Sequence, residues 1–254
     1  MTKQTILSIV LLIAVVVGIT ALTIWSKKYQ APQPNGPVVT NPDESKYLVT
    51  KEPQMVSVAE DSYLLGIGGS YPQFIQADAT FNKKIADLVI STNTEFKKNA
   101  DADYKARLAI EGNEFKKQFE DGSIYTLNWT TDIVQSNDNY ISVLVRQEGY
   151  AGGAHGYRVV TSFNYDVKNH KEFTLTDFMT LEKASEASRA DLKPKFEQEG
   201  NDEIFTTFTI DGTDPKKPEN FSVFTFLNNS VTIYFGEYQV APYAVGEQKV
   251  TLPR

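Results

Sequence analysis

The chain has 254 residues, 41% of them hydrophobic and 22% charged, which is a globular composition rather than a disordered one. It carries a net charge of −7 and no cysteine. The acidic balance argues against nucleic-acid binding, which needs basic patches, and the missing thiol excludes disulfides, thiolate metal sites, a cysteine nucleophile and acylation at cysteine.

In chain order, a short tail (1–5) precedes Ile6–Trp25, an uncharged apolar run of 20 residues whose only polar members are Ser8, Thr20 and Thr23. As a helix it is about 30 Å long, the thickness of a bilayer core. Trp25 and Tyr29 sit where interfacial aromatics belong, and Lys27 and Lys28 stop the run. The expectation is a single transmembrane anchor over 6–26. It is left uncleaved, because a signal-peptide core is shorter and Ile19-Thr20-Ala21 is a poor cleavage site. Basic residues flank the run on both sides, so charge does not orient it. The short N-terminal tail suits a signal anchor, with the bulk of the chain outside the cytoplasm. Residues 27–50 read as a linker interrupted by Pro32, Pro34, Pro37 and Pro42.

The outer part divides at the Gly152-Gly153 bend into halves, 51–150 and 151–254. Tyr63–Ile67 reads as a strand that turns at Gly66, Gly68 and Gly69. A helix is expected from near Ser70 and Pro72, with Phe74, Ala77, Phe81, Ile85, Leu88, Thr92 and Phe96 as one stripe at 3.6-residue spacing. From Ser123 the period becomes two. Tyr125, Leu127, Trp129 and Thr131 alternate with polar neighbours, Ser136–Asn139 turns, and Tyr140–Arg146 returns. A third strand puts Tyr157, Val159, Thr161, Phe163 and Tyr165 on one face. Thr176-Asp177 signals a helix over about Phe178–Phe196, which Pro194 should break or restart. Phe221–Leu227 and Ser230–Phe235 form a hairpin about Asn228-Asn229, and Gln248–Leu252 adds a last strand. The fold class is α+β: antiparallel hairpins with two packed helices, preceded by a single transmembrane helix.

The chemistry-bearing residues are few. His155 lies in Tyr150-Ala-Gly-Gly-Ala-His-Gly156, where Gly152, Gly153 and Gly156 let backbone approach a ligand and a histidine can bind metal or move protons. The alternative is a sharp bend that His155 caps by hydrogen bonding. A catalytic zinc wants about three ligands, and the other histidine is His170, so neither a metal nor a cofactor is expected. Nothing ranks Asp132, Asp177 or Glu237 above the other carboxylates, and no Gly-x-Ser-x-Gly elbow exists. Gly66-Ile-Gly-Gly-Ser70 lacks the Lys-Ser/Thr ending of a phosphate loop. Tyr234, Phe235, Tyr238 and Tyr243 offer flat faces with polar tips suited to sugars or proteins, or else belong to the core of the last hairpin. The candidate contact surface is Gly152, Gly153, His155, Gly156 and Tyr157 with Tyr238 and Tyr243.

The Gly-Gly-Ala-His-Gly bend, together with Val231-Thr-Ile-Tyr-Phe-Gly-Glu-Tyr-Gln-Val-Ala-Pro-Tyr-Ala-Val-Gly-Glu247 and the following Val250-Thr-Leu-Pro, resembles a bacterial pair of linked extracytoplasmic domains. That pair forms the outer part of the lysozyme-sensing anti-sigma-V factor and precedes the catalytic domain of a peptidoglycan deacetylase. The resemblance spans roughly residues 50–254. Only a five-residue tail precedes the anchor and no metal-binding catalytic domain follows, so what is expected is the shared outer module alone. It implies a membrane-anchored module that recognises peptidoglycan or a cationic wall-acting protein such as lysozyme. The alternatives are a cell-wall hydrolase using His155 and a structural subunit of a membrane complex.

Overall fold

The computed structural model describes residues 48–62, 64–117, 125–198 and 202–254. The tail, the anchor over 6–26 and the linker up to residue 47 lie outside the described residues, as do Tyr63 and Ser123, where the sequence starts two of its strands. Among the described residues no helix is long and apolar enough to cross a membrane. Lys46–Arg254 is one compact unit with two sheets.

The larger sheet has eight strands: β1 (Leu48–Val49), β2 (Gln54–Ser57), β3 (Glu60–Asp61), β4 (Leu65–Gln73), β5 (Tyr125–Ser136), β6 (Tyr140–Tyr150), β7 (Tyr157–Asp166) and β8 (Lys171–Glu172). They run in the order β2-β4-β5-β6-β7-β8, with β3 also on β4 and β1 on β5. The sheet is mixed rather than purely antiparallel: β4 pairs with β5 in parallel from Leu65↔Tyr125 to Gly69↔Trp129. A parallel pair needs a long crossover, and the helix between these strands supplies it.

The glycines of β4 do not make a turn. Gly69 has φ +106°, and a Cβ there would lie 2.1 Å from the Trp129 carbonyl oxygen. It is the point where β4 leaves β5, and Ser70–Gln73 continue as a strand against β2. The expected helix start at Ser70 and Pro72 is therefore displaced to Ala79, N-capped by Asp78, whose Oδ1 accepts from the Phe81 N–H at 2.8 Å. The helix runs Ala79–Glu111 and buries Phe81, Ile85, Val89, Phe96, Ala100 and Tyr104 along one side. Period-two alternation supplies the other wall: Tyr125, Leu127 and Trp129 of β5, Ile141, Val143 and Val145 of β6, and Tyr165 of β7. Trp129 Nε1 donates to Asn93 Oδ1 of the helix at 2.9 Å, which satisfies the one polar atom of a buried indole.

Past β8 the chain builds a second core on the sheet's opposite face. A 3-10 turn (Leu175–Asp177) is closed by a capping box between Thr174 and Asp177 and leads to a helix, Leu181–Gln198. That helix begins later than Phe178 and passes through Pro194 without breaking, because Leu192 and Phe196, at 0% and 1% exposure, hold both sides of the proline in the core. Tertiary packing here outweighs a helix penalty of about 3 kcal/mol. Further helical turns over 202–212 have no counterpart in the sequence reading. A 3-10 turn (Pro218–Phe221) then precedes a three-stranded antiparallel sheet of β9 (Phe224–Phe226), β10 (Ser230–Phe235) and β11 (Gln248–Pro253). The hairpin about Asn228-Asn229 is as expected, although its first strand starts at Phe224 rather than Phe221.

The two halves meet along a polar seam. β9 lies at the edge of its sheet, and side chains projecting from β6 and β7 satisfy its backbone. Asn164 Nδ2 donates to the Phe224 carbonyl at 2.7 Å, and the Phe226 N–H donates to Ser142 Oγ at 2.9 Å. Ser142 Oγ donates in turn to Asn164 Oδ1 at 2.7 Å, and the Phe224 N–H donates to Ser162 Oγ at 3.0 Å. Ser142 and Asn164 are buried, so the three bonds their side chains make satisfy groups that water cannot reach.

Candidate functional site

The β6–β7 connection is a six-residue bend, 151–156. Gly152 and Gly153 have φ of +89° and +99°, conformations that side-chain-bearing residues rarely adopt. Tyr150 Oη donates to the Gly153 carbonyl at 3.0 Å, and His155 Nδ1 lies 2.7 Å from the Gly156 carbonyl. The same carbonyl receives Tyr243 Oη at 3.2 Å. This shared acceptor draws the 3-10 turn Tyr243–Val245 against the bend, 87 residues away in sequence.

The result is a ladder of rings. His155 stacks on Tyr243 with centroids 4.0 Å apart and planes 23° from parallel, and Tyr238 lies 5.8 Å from Tyr243 at 32°. Tyr238 holds a positive φ of 65° and is 56% exposed, so the ladder ends in solvent. Beside it runs an open groove of about 340 Å³, with Thr126, Asn128, Glu148, Arg158 and Glu237 among its lining. Glu237 Oε2 accepts from the Arg158 N–H at 3.2 Å, and Arg158 Nε donates to Glu148 Oε1 at 2.7 Å. Aromatic faces beside carboxylates and an amide form a surface that can stack on an apolar ring face and accept hydroxyl or amide protons around it.

The structure thus brings together His155, Gly156, Tyr157, Tyr238 and Tyr243. Tyr157 lines the groove while its ring lies across β6: a Cβ on Gly149 would meet that ring at 2.5 Å, and Gln147 Nε2 donates to its hydroxyl at 3.2 Å. Gly152 faces elsewhere. A Cβ on it would lie 3.3 Å from Arg107 Nη2 at the end of the long helix, where Arg107 and Tyr125 both donate to Asp103 Oδ2, at 2.9 and 2.5 Å. Burial and the Asp103 hydrogen bond push the Tyr125 phenol well above its ordinary range. Gly152 and Gly153 therefore shape the bend, with Gly152 seating it on the long helix, while Gly156 lines the groove.

The remaining polar candidates have structural partners. Asp132, on the neighbouring strand, and Glu247, just before β11, pair with Arg146, and Asp177 closes its capping box while Lys171 and the Thr174 backbone hold its carboxyl below the usual range. His170, at φ +51°, lies 3.1 Å from Tyr165 Oη, which donates to Asp78 at 2.6 Å. Tyr234 bonds Thr225 within the small sheet, and Phe235 is fully buried. Among the described residues no cluster of three or more His, Asp or Glu side chains could hold a metal ion.

Glu148, Arg158, Asn128 and Thr126 did not emerge from the sequence as site residues, and Glu237 did not stand apart from other carboxylates. The signal that finds them is register: Asn128↔Glu148 and Glu148↔Arg158 are cross-strand pairs, at positions that alternate with the buried Leu127 and Trp129.

Residues 58–158 match the sequence model of a family described as deacetylase PdaC, and residues 171–254 match that of a protein family of unknown function, DUF3298. The chain is similar to these two domain types in succession. Over 133 residues, 50% of the chain, it is 31% identical to the peptidoglycan-N-acetylmuramic acid deacetylase PdaC of Bacillus subtilis, and that stretch is 27% of the deacetylase's length. Among solved structures, a DUF3298 family member from Bacteroides fragilis covers 82% of this chain and 92% of its own with a TM-score of 0.55 at 19% identity, a likeness of fold. A DUF3298 protein from Pseudomonas aeruginosa aligns over 80% of this chain and 91% of its own, with a TM-score of 0.48 and 14% identity.

Proposed function

We propose that the chain is a cell-wall recognition module, held to the membrane by the apolar run 6–26 with its bulk outside the cytoplasm, and that the groove beside the ring ladder binds peptidoglycan. The observation that carries this reading is the convergence of two segments 87 residues apart on one carbonyl, Gly156, which builds an exposed aromatic ladder beside paired carboxylates and an amide. Pyranose rings present apolar C–H faces to aromatic rings, and their hydroxyl and acetamido groups pair with carboxylates and amides at the rim. The similarity of residues 58–158 to the PdaC domain supports a wall polymer as ligand.

A basic wall-acting protein such as lysozyme is the second reading. It rests on the net charge of −7 and on Glu148 and Glu237 at the groove. The two are separated by calorimetric titration of Lys46–Arg254 with soluble peptidoglycan fragments and with lysozyme, at low and moderate salt. Saturable glycan binding that survives salt and is lost in Tyr243→Ala supports the first. Binding to lysozyme alone, weakening steeply with salt, supports the second. Binding to neither removes both.

A further inference from the structure

The sheet edges are not treated alike. β2 is short and enters from Pro53, and β11 carries Lys249 and Pro253. The open side of β9 receives Ser142, Ser162 and Asn164. These are ordinary ways of blunting an edge. β7 lacks them over most of its length. β8 pairs only with Tyr165 and Asp166, so among the described residues 157–163 have β6 as their one strand partner. The direction of the free groups is fixed at both ends. The Arg158 N–H points away from β6 to Glu237, and the Asn164 carbonyl accepts from the Phe173 N–H at 2.9 Å. Antiparallel alternation then turns the N–H and C=O of Val160 and Ser162 outward as well. This stretch has no proline or lysine, and Val159 is 48% exposed.

A second feature adjoins that edge. At its Ser162 end lies a cavity of about 410 Å³ whose lining includes Phe173, Leu175, Leu181, Phe221 and Phe224. Ser162 touches its wall twice, donating to the Ser222 carbonyl at 3.4 Å and accepting from the Phe224 N–H. Glu219 is part of the rim.

We propose that the β7 edge and this cavity form a docking site for an extended, basic peptide segment of a partner protein. The segment adds as a strand at Val160–Ser162, places a bulky apolar side chain in the cavity and sets a cationic residue near Glu219. Outward N–H and C=O groups alternating along a strand are matched by another backbone in β conformation, while a pocket beside the edge reads a side chain. A glycan lacks that alternation. A second copy of the chain would bring a like net charge of −7 against this edge and Glu219, whereas a basic segment complements them. The site is separate from the ring ladder and stands without the wall-binding reading.

The test uses the full chain and synthetic peptides of alternating apolar and polar residues, with a leucine anchor and flanking lysines, followed by fluorescence anisotropy. Val160→Pro removes an outward N–H at an edge position, where proline leaves the β6 ladder intact. It should weaken binding at least about tenfold, the scale of a lost main-chain bond. Ser222→Trp, filling the cavity mouth, should abolish the preference for leucine over alanine at the anchor, and Ile90→Ala, on the exposed side of the long helix, should leave peptide binding unchanged. Where Val160→Pro does not fold, a peptide N-methylated at alternate residues makes the same deletion from the ligand side and should bind as weakly. The proposal is overturned by an absence of saturable binding, by binding indifferent to both backbone deletions, or by sedimentation showing a dimer of the chain that Val160→Pro dissociates.

Discussion

Asn164→Ala tests the polar seam most directly. Asn164 is 5% exposed and Ser142 0%, so water does not replace a lost partner at either. The substitution leaves the Phe224 carbonyl without its 2.7 Å donor and the Ser142 hydroxyl without its 2.7 Å acceptor. A buried group left unsatisfied costs roughly 1–3 kcal/mol. Two such groups, one on a hydroxyl that can rotate, put the expected loss near 3 kcal/mol. Ser142→Ala frees the Phe226 N–H and should cost about 2 kcal/mol on the same reasoning. Because both substitutions delete the Ser142–Asn164 bond, the double variant should fall short of the sum by about 1 kcal/mol. Trp129, 2% exposed, is the single tryptophan of Lys46–Arg254, and its fluorescence reports urea unfolding. The midpoint should drop with the slope unchanged. A loss below about 0.5 kcal/mol for Asn164→Ala, or strict additivity, would refute the claim that these side chains hold β9, leaving apolar contact as the cause.

Three further outcomes are expected. Gly152→Ala forces a side chain into φ +89° with Arg107 Nη2 3.3 Å away; it should cost at least about 1 kcal/mol in urea and loosen the bend, read as faster amide exchange at His155. Ile85→Ala, at a position with 0% exposure beneath the sheet, should cost about 2–5 kcal/mol, whereas Ile90→Ala on the same helix, 58% exposed, should stay within about 0.5 kcal/mol. Asp78 has its carboxyl held below the usual range by the Tyr165 hydroxyl and the Phe81 N–H. A depressed folded value means its stabilisation is present above the ordinary carboxylate range and lost as pH falls through the folded value, so Asp78→Asn should flatten the acid limb of a stability-against-pH curve and leave neutral pH little changed in slope.

The large sheet was legible where a strand buries one face only, as β5 does over its first half. Tyr125, Leu127 and Trp129 alternate with polar residues, and the turn at Ser136–Asn139 is where the sequence places it. The long helix showed its stripe from Phe81 to Phe96 but not its start, since Ser70 and Pro72 have helix-start chemistry yet belong to a strand steered by Gly69 against Trp129. That close approach is a tertiary fact without a local signature, and so is the parallel pairing of β4 with β5. Pro194 misled for the same reason: Leu192 and Phe196 hold the helix from both sides, and local rules do not count such contacts. At the candidate site the rings and the glycine bend stood out by residue type. The polar lining did not, because Asn128, Glu148 and Arg158 become neighbours only through register, and surface strands everywhere carry such residues.

β7 falls in the interval between the two spans that resemble known domains, 58–158 and 171–254, and most of its residues belong to neither. Yet one face of this strand closes the first core through Tyr165, and the other carries the serine and asparagine that hold β9. A boundary drawn by similarity alone would discard the shared wall and leave each half with a raw side. Truncation or domain grafting should therefore fail when the cut falls in the interval between the spans and succeed only when both spans and β7 stay on one piece, so the two halves are engineered as one cooperative block.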